Sequence, residues 1–428
     1  MAPTTYLPGN LQWLGLAKET TYGTPAAAPT MWIPVDSPKW AHKVTPLKDK
    51  ALRGMMSTTF NQAQGMAYTD FSYKTMLYPD SLFPHMLATL GVADTVVTLT
   101  APTLTLGATA TTGGTLPAGA TYWKITATAT GGEGVGSNEV TATLTGSTSS
   151  QPLSWTAVTG ASGYNIYRGT AAGAENILVA SVGTVTTYTD TGAAGTAGTP
   201  PTTAASLHKT SVLNVGTPPS YTGFLYMADT KVKQIPGLVI ASLKIGIKAN
   251  ELPSMDISWL GMPSTTINAP ANTPSVVPPM PPFTANIKVG GASLGKYSDA
   301  SITIKRGSKA IPVLNGTQSP LAIYAGEVTV TGTLGAIFQG TADNDLTNLL
   351  TNGQPTLAVS INPQNDGAHP LTLQCSKIAY ETADPAPASS GWMTISSNFE
   401  AIANATDALD GNLSPIQAIL STTSSTAY

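Results

Sequence analysis

Five cations crowd one short stretch of this sequence. Lys39, Lys43, Lys48, Lys50 and Arg53 follow one another with Asp49 as the one acid among them. Such a cluster can hold phosphates, releasing a counterion for each one neutralised, or the carboxylates of a protein surface. Asp343-Asn344-Asp345 has carboxylates at calcium-like spacing but lacks the glycine and distal glutamate of an EF-hand loop, so helix capping is the better reading. Cys375 continues the apolar alternation of Leu371 and Leu373, which predicts a buried core cysteine. A single cysteine leaves no internal disulfide and no cysteine-cluster zinc site. His42, His85, His208 and His369 are far apart, and none has a histidine partner one helical turn away. Gly131–Gly136 (GGEGVG) lacks the lysine of a phosphate loop and the dinucleotide spacing, and reads as a hairpin turn. The triplets at Asn315, Asn404 and Asn412 are chance matches to a glycosylation acceptor. No G-x-S-x-G, H-E-x-x-H or paired His–carboxylate motif occurs. The expectation is a protein with no catalytic residue, no metal and no cofactor, whose chemistry is that of surfaces.

The elements that would carry such surfaces are strands. Leu243, Ile245 and Ile247 alternate with Lys244, Gly246 and Lys248, and Met255, Ile257 and Trp259 alternate with Asp256 and Ser258. Ile302/Ile304, Val328/Val330, Leu357/Val359/Ile361 and Leu371/Leu373/Cys375 repeat the pattern. Period-two alternation means strands with one buried face. Two segments have helical periodicity. In Tyr78–Gly91, Leu82, Met86 and Leu90 share a face, Asp80 or Ser81 is the expected cap, and Pro84 is acceptable within the first turn. In Asp343–Asn352, Asp343 caps a stripe of Leu346, Leu349 and Leu350, and Gly353 ends it. The chain is expected to be all-β, with one or two short helices.

Composition sets the scale. The 428 residues suggest two or three domains. Only 10% are charged, against about 25% in an average domain. A net charge of −3 gives no basic nucleic-acid footprint over the whole chain. No apolar run approaches the roughly 20 residues that span a bilayer, and the opening MAPTTYLPGNLQW has neither basic n-region nor apolar h-region. Neither membrane insertion nor a signal peptide is expected. Between Thr95 and Ser206 the chain turns rich in Thr, Gly and Ala, and Gly192–Ala205 reads as a flexible linker. The expected map is an inserted module at 95–206 within a host domain made of 1–94 and 207–428. Six prolines in Ala269–Phe283 predict an extended arm or connection across a surface.

The module resembles a fibronectin type III or immunoglobulin-like sandwich, through Leu153-Ser-Trp155, Gly163-Tyr164-Asn-Ile166-Tyr167-Arg168 and Thr187-Tyr188-Thr189-Asp190. The segment Leu116–Thr143, with Tyr122, Ile125 and Ala127, resembles that family's last two strands but precedes the Trp155 strand. The module is therefore either circularly permuted or a sandwich of different topology. In a rival reading the chain is a carbohydrate-binding adhesin, with Trp123 or Trp155 exposed to stack on sugars.

The host part resembles tailed-bacteriophage major tail proteins, the tail tube subunits. The resemblance starts at Trp13-Leu-Gly-Leu-Ala-Lys18-Glu19-Thr-Thr-Tyr22-Gly23-Thr24-Pro25. It continues through Ala51-Leu52-Arg53-Gly54, the Leu82–Gly91 helix, Pro218-Pro219-Ser220-Tyr221, the strands around Leu243–Ile247 and Met255–Gly261, Ser301–Arg306 and the Asp343–Gly353 helix. It implies a β-sandwich subunit that closes into hexameric rings, which stack into a hollow tube for DNA passage. The implied partners are the chain itself, the tape measure, tail terminator and distal tail proteins, and double-stranded DNA in transit. The implied location is the virion tail, assembled in the bacterial cytoplasm. On this reading the module decorates the tube exterior, and Asp36–Asp70 is a long loop reaching the next ring. Lys39, Lys43, Lys48, Lys50 and Arg53 are then an inter-ring contact, with DNA contact or a plain solvated loop as the alternatives.

Overall fold

The computed structural model describes residues 9–130, 132–228, 230–364, 370–387, 391–424 and 426–428. The chain divides into two compact units. The first is Met1–Ala93, Thr210–Gln364 and Leu373–Ala418, and the second is Asp94–Lys209, Asn365–Thr372 and Ile419–Tyr428.

The first unit is built on a twelve-stranded antiparallel sheet organised by one long strand, Lys231–Lys248. Its first half pairs with Tyr221–Tyr226 and Thr265–Asn268, and its second half with Glu251–Gly261 and Tyr297–Arg306. The change of partner falls at Pro236-Gly237. Gly237 has φ +61°, and a Cβ there would meet Met262 Cγ at 2.8 Å, so only glycine fits the bend. Beyond it the strand order runs Asp36–Asp49, Asn61–Met76, Glu251–Gly261, the long strand, Tyr297–Arg306, Val328–Ile337, Thr394–Ala401 and Ile378–Ala386. The alternation read from the sequence becomes two faces. Phe71, Tyr73, Leu243, Ile245, Met255, Ile257, Trp259, Ile302, Ile304, Val330, Leu334 and Phe399 are buried on one side. The opposite side is polar.

Helix α1 (Pro79–Leu90) belongs to this unit and is buried almost all round, from Ser81 to Leu90 with Pro84 the exception, not only along Leu82, Met86 and Leu90. It begins two or three residues earlier than expected: Tyr78 is the N-cap, Pro79 takes the first helical position, and Asp80 lies inside the first turn, where it favours the dipole without capping. Pro84 therefore falls beyond the first turn. Burial of nine side chains in a helix of twelve residues outweighs the missing backbone bond. Gly91 ends the helix in the left-handed conformation, as the sequence implied. Helix α2 (Asn344–Thr351) is capped by Asp343, whose side chain accepts from the Asp345 N–H. Leu346 and Leu349 pack on Ala336, Ala383 and Ile395, but Leu350 is exposed and the buried residue of this helix is Asp345. Residues 269–281 run without regular structure and carry five of the six prolines, Pro282 opens a short 3-10 turn, and Met280 is buried.

In the second unit, Thr95–Thr98 pairs antiparallel with Ser206–Lys209. Between them lie two sheets. Leu104–Leu106, Gln151–Trp155 and Thr187–Asp190 form one. Ile177–Val182, Gly163–Gly169, Gly119–Ala129 and Val140–Leu144 pair in that order in the other. Trp123, Ile125, Leu153, Trp155, Tyr164 and Ile166 share one core. Trp123 is fully buried and donates its indole N–H to Asp190 at 2.9 Å, while Arg168 holds the same carboxylate at 2.9 Å. Trp155 is 6% exposed. The expectation of an exposed sugar-stacking tryptophan at either position is overturned, because both are core residues of the sandwich.

Candidate assembly interface

The stretch expected as a long loop is a hairpin. Asp36–Asp49 pairs with Asn61–Met76 from Asp36↔Lys74 to Asp49↔Asn61, leaving only residues 50–60 as its tip. Pro38 and Pro46 hid the strand in the sequence. Asp36–Asp49 is an edge strand with one neighbour, and the register shifts between Val44 and Pro46, so a missing N–H is tolerated there. The five cations are strung along this arm. Lys39 and Lys48 alone are separated by roughly 30 Å at strand rise. Lys39 and Lys43 lie opposite Ser72 and Tyr68 on the polar side of the sheet, and Lys43 approaches Asp70 at 3.9 Å.

At the tip, Arg53 is held within the arm. It pairs with Asp49 at 2.6 Å and lies over the Phe60 ring at 4.6 Å. The Ala51 N–H, with Arg53, keeps the Asp49 carboxyl below its usual range. Lys39, Lys48 and Lys50 have no ion-pair partner among the described residues. Around them the tip is apolar and uncovered: Leu52 and Met56 are fully exposed, and Met55 and Leu47 are 64% and 55% exposed. The sequence reading singled out the charges, but the larger signal is this exposed methionine–leucine group. Single exposed apolar residues are ordinary; four on one hairpin end form a surface that calls for a partner.

The polar side of the sheet is ordered in cross-strand rows. One runs Lys39, Ser72, Ser258, Ser242, Lys305, Thr329. The next runs Asp36, Lys74, Asp256, Lys244, Thr303, Thr331, Glu400. A third is Met76, Ser254, Gly246, Ser301, Thr333, Asn398 and Thr382. The fourth is Glu251, Lys248, Asp299, Gly335, Ser396 and Asp384. These four rows hold five lysines and six carboxylates, the Lys43–Asp70 pair adds one of each to the face, and opposite charges are often direct cross-strand neighbours. Asp36–Asp49 and Ile378–Ala386 close the two ends of this run, each with one strand neighbour among the described residues.

The residues of the opening motif have a structural reason. Glu19 is 8% exposed and its carboxylate accepts four bonds. Gly23 N–H and Ser220 Oγ donate to Oε2 at 2.8 and 2.6 Å, and Thr222 Oγ1 and Gly237 N–H donate to Oε1, both at 2.8 Å. Tyr22 Oη accepts from the Ile323 N–H at 2.5 Å, and burial pushes its phenol up. Glu19 and Tyr22 therefore fix the first strand, Trp13–Lys18, and the Pro236-Gly237 bend of the long strand.

The remaining candidates are structural. His85 is fully buried, bonded to Tyr73 Oη at 2.6 Å and to the Ser81 carbonyl at 2.5 Å, and burial lowers its pKa to about 4. His42 is exposed on the arm, and His208 faces Asp94 at 2.6 Å. His369 lies outside the described residues. Cys375 is buried as expected, and burial raises its thiol pKa. Thr128↔Glu133 and Ala129↔Gly132 pair around the glycine-rich run, a hairpin as read. Among the described residues no group of three or more His, Cys, Asp or Glu could hold a metal, and no helix is long and apolar enough to cross a membrane.

Residues 9–403 match the family model described as "Phage tail tube protein". No curated protein matches the chain.

Proposed function

This chain belongs to the phage tail tube protein family, and on that premise we propose that it is the repeating subunit of a hollow tube made of stacked hexameric rings. The family is structural, so the chain is a component of the virion tail and not an enzyme. The observation that carries the ring proposal is the eight-strand run from Asp36–Asp49 to Ile378–Ala386, with one buried face, one polar face and an edge strand at each end. Free edges in most proteins are blunted against association. Here the edges at Asp36–Asp49 and Ile378–Ala386 are the places where neighbouring copies continue the sheet. The polar face lines the bore. Its one net negative charge, from seven carboxylates and six lysines with the Lys43–Asp70 pair included, gives DNA no strong counterion-release grip, so DNA slides instead of sticking. The arm reaches the next ring and seats Leu52, Met55 and Met56 against it, with Lys48 and Lys50 beside acidic groups of that surface. Lys39 and Lys43 sit by the polar face and not at the ring contact, so the five-residue cluster has two roles.

Residues 95–206 are read as a permuted immunoglobulin-like module on the tube exterior. The packing of a three-stranded sheet on a six-stranded one supports this. So does the place of Gly119–Ala129 and Val140–Leu144 in the sequence, ahead of Gln151–Trp155. The tape measure, tail terminator and distal tail proteins are the other partners, and assembly takes place in the bacterial cytoplasm. Negative-stain microscopy of the purified chain at high concentration tests the assembly. Rings or tubes are expected; a chain that stays monomeric and is absent from virion tails would end the proposal.

A further inference from the structure

The first unit contains a dry constellation that the tube does not require. Lys296 lies directly before the strand Tyr297–Arg306, and its side chain has no solvent exposure. Its Nζ is 2.7 Å from Asp343 Oδ1 and 3.3 Å from Asp345 Oδ2, and neither carboxylate side chain is exposed. The two aspartates are held differently. Asp343 accepts the backbone N–H groups of Asp345 and Gln339 at 3.0 and 3.1 Å. Burial pushes its carboxyl up, but the Lys296 bond and those two backbone donors outweigh it and keep the group ionised. Asp345 receives two phenols on one oxygen: Tyr297 and Tyr380 both donate to Oδ1 at 2.9 Å. Burial, first of all, raises both phenol pKa values, so they remain O–H donors. The other oxygen, Oδ2, is buried and makes no hydrogen bond, although the lysine nitrogen is beside it.

A buried ion pair alone would satisfy both oxygens of each carboxylate, since an unpaired buried carboxylate oxygen is expensive. The arrangement instead has the parts of an acyl transfer. We propose that Lys296 and Asp345 condense to an intramolecular isopeptide bond, with Asp343 as the proton carrier. Asp343 takes a proton from the Lys296 ammonium, which frees the amine as nucleophile. The Nζ–Cγ bond to Asp345 forms, and the charge that develops on Oδ1 falls between the Tyr297 and Tyr380 hydroxyls, at the distance of an oxyanion hole. Asp343 relays protons from the nitrogen to Oδ2, the Cγ–Oδ2 bond breaks, and water leaves. The ammonium and the carboxylate thus become a neutral amide and one water, two of the ammonium hydrogens departing with Oδ2. Nothing is oxidised or reduced, and Asp343 ends as it began, a carboxylate on backbone donors. The product ties the first turn of α2 to the start of the Tyr297–Arg306 strand.

Intact-mass spectrometry of the full chain, fresh and after prolonged incubation of the folded protein, tests this. The expected mass is one water below that of the sequence, with a branched peptide joining Lys296 to Asp345 after digestion. Lys296→Arg and Asp345→Ala should each restore the full mass calculated for their own sequence, and Tyr380→Phe should slow the loss. A folded wild-type chain that keeps its full mass in both samples would overturn the proposal, whether or not the variants fold.

Discussion

Replacing Leu52, Met55 and Met56 together by serine separates the assembly role of the arm from its fold. All three side chains lie at the tip of the hairpin and are mostly or fully exposed. Surface changes of this kind typically move stability by no more than about 0.5 kcal/mol each, so the subunit should unfold at nearly its normal denaturant midpoint. In the proposed tube the next ring would cover the same residues. Full burial of a leucine or methionine is worth about 1.5–3 kcal/mol, and Met55, already partly covered, contributes less, so each arm loses about 4–7 kcal/mol. Association does not return all of that as affinity, because ordering the tip offsets part of it. Even about 3 kcal/mol per arm is roughly a hundredfold in a contact repeated around every ring. Sedimentation and microscopy across a concentration series should show the concentration for tube formation rising at least a hundredfold, with rings persisting. Tubes of normal length at the wild-type concentration would refute the reasoning and leave the exposed tip without a partner.

Three other perturbations bear on the fold. Glu19→Ala strands two buried N–H groups and two hydroxyls, at about 1–2 kcal/mol each, so chemical unfolding should show a loss of about 4–8 kcal/mol, and a loss below about 1 would mean that Glu19 is not the anchor of its motif. His85 titrates near 6.5 when unfolded and at about 4 when folded, so the unfolded chain binds the extra proton first; stability should be constant above pH 6.5 and fall by about 3 kcal/mol as pH drops toward 4, a slope that His85→Gln should remove. Replacing residues 100–204 by a short Gly/Ser linker, with the Thr95–Thr98 and Ser206–Lys209 pair retained, should leave tubes that form normally under the microscope; failure to assemble would place the module in the tube wall.

The core strands were legible because alternation of Leu243/Ile245/Ile247 against Lys244/Lys248 leaves little choice of face. The cap at Asp343 and the stop at Gly91 were legible because each rests on local backbone chemistry. The arm strand was not, since its two prolines argue against a strand unless it is known to be an edge, and edges are a property of the assembled sheet. The Lys296–Asp343–Asp345 cluster was equally invisible: Asp345 reads as a polar helix position until Tyr297 and Tyr380 are brought to it from two strands. Trp123 and Trp155 are a further case. A tryptophan in a Thr-rich strand has no sequence mark that tells a sugar platform from a core ring, and the Asp190 partner of Trp123 lies far along the chain.

The pairing of Thr95–Thr98 with Ser206–Lys209 has a consequence for how the chain folds. The chain leaves and returns at neighbouring points, so once the intervening sandwich has formed, the rest of the protein meets it as a tight turn. A floppy loop of the same length would make closure harder by about 3 kcal/mol than a turn of a few residues. The pairing of Trp13–Lys18 with Tyr221–Tyr226 spans most of the first half of the sequence and is the kind of distant contact that slows folding. All strands of the two sheets between Thr95–Thr98 and Ser206–Lys209 lie within residues 104–197, so the sandwich pairs only with chain made before Tyr221. It then acts as a clasp on the growing chain, bringing the first strand and its late partner within reach and shortening the search by about half.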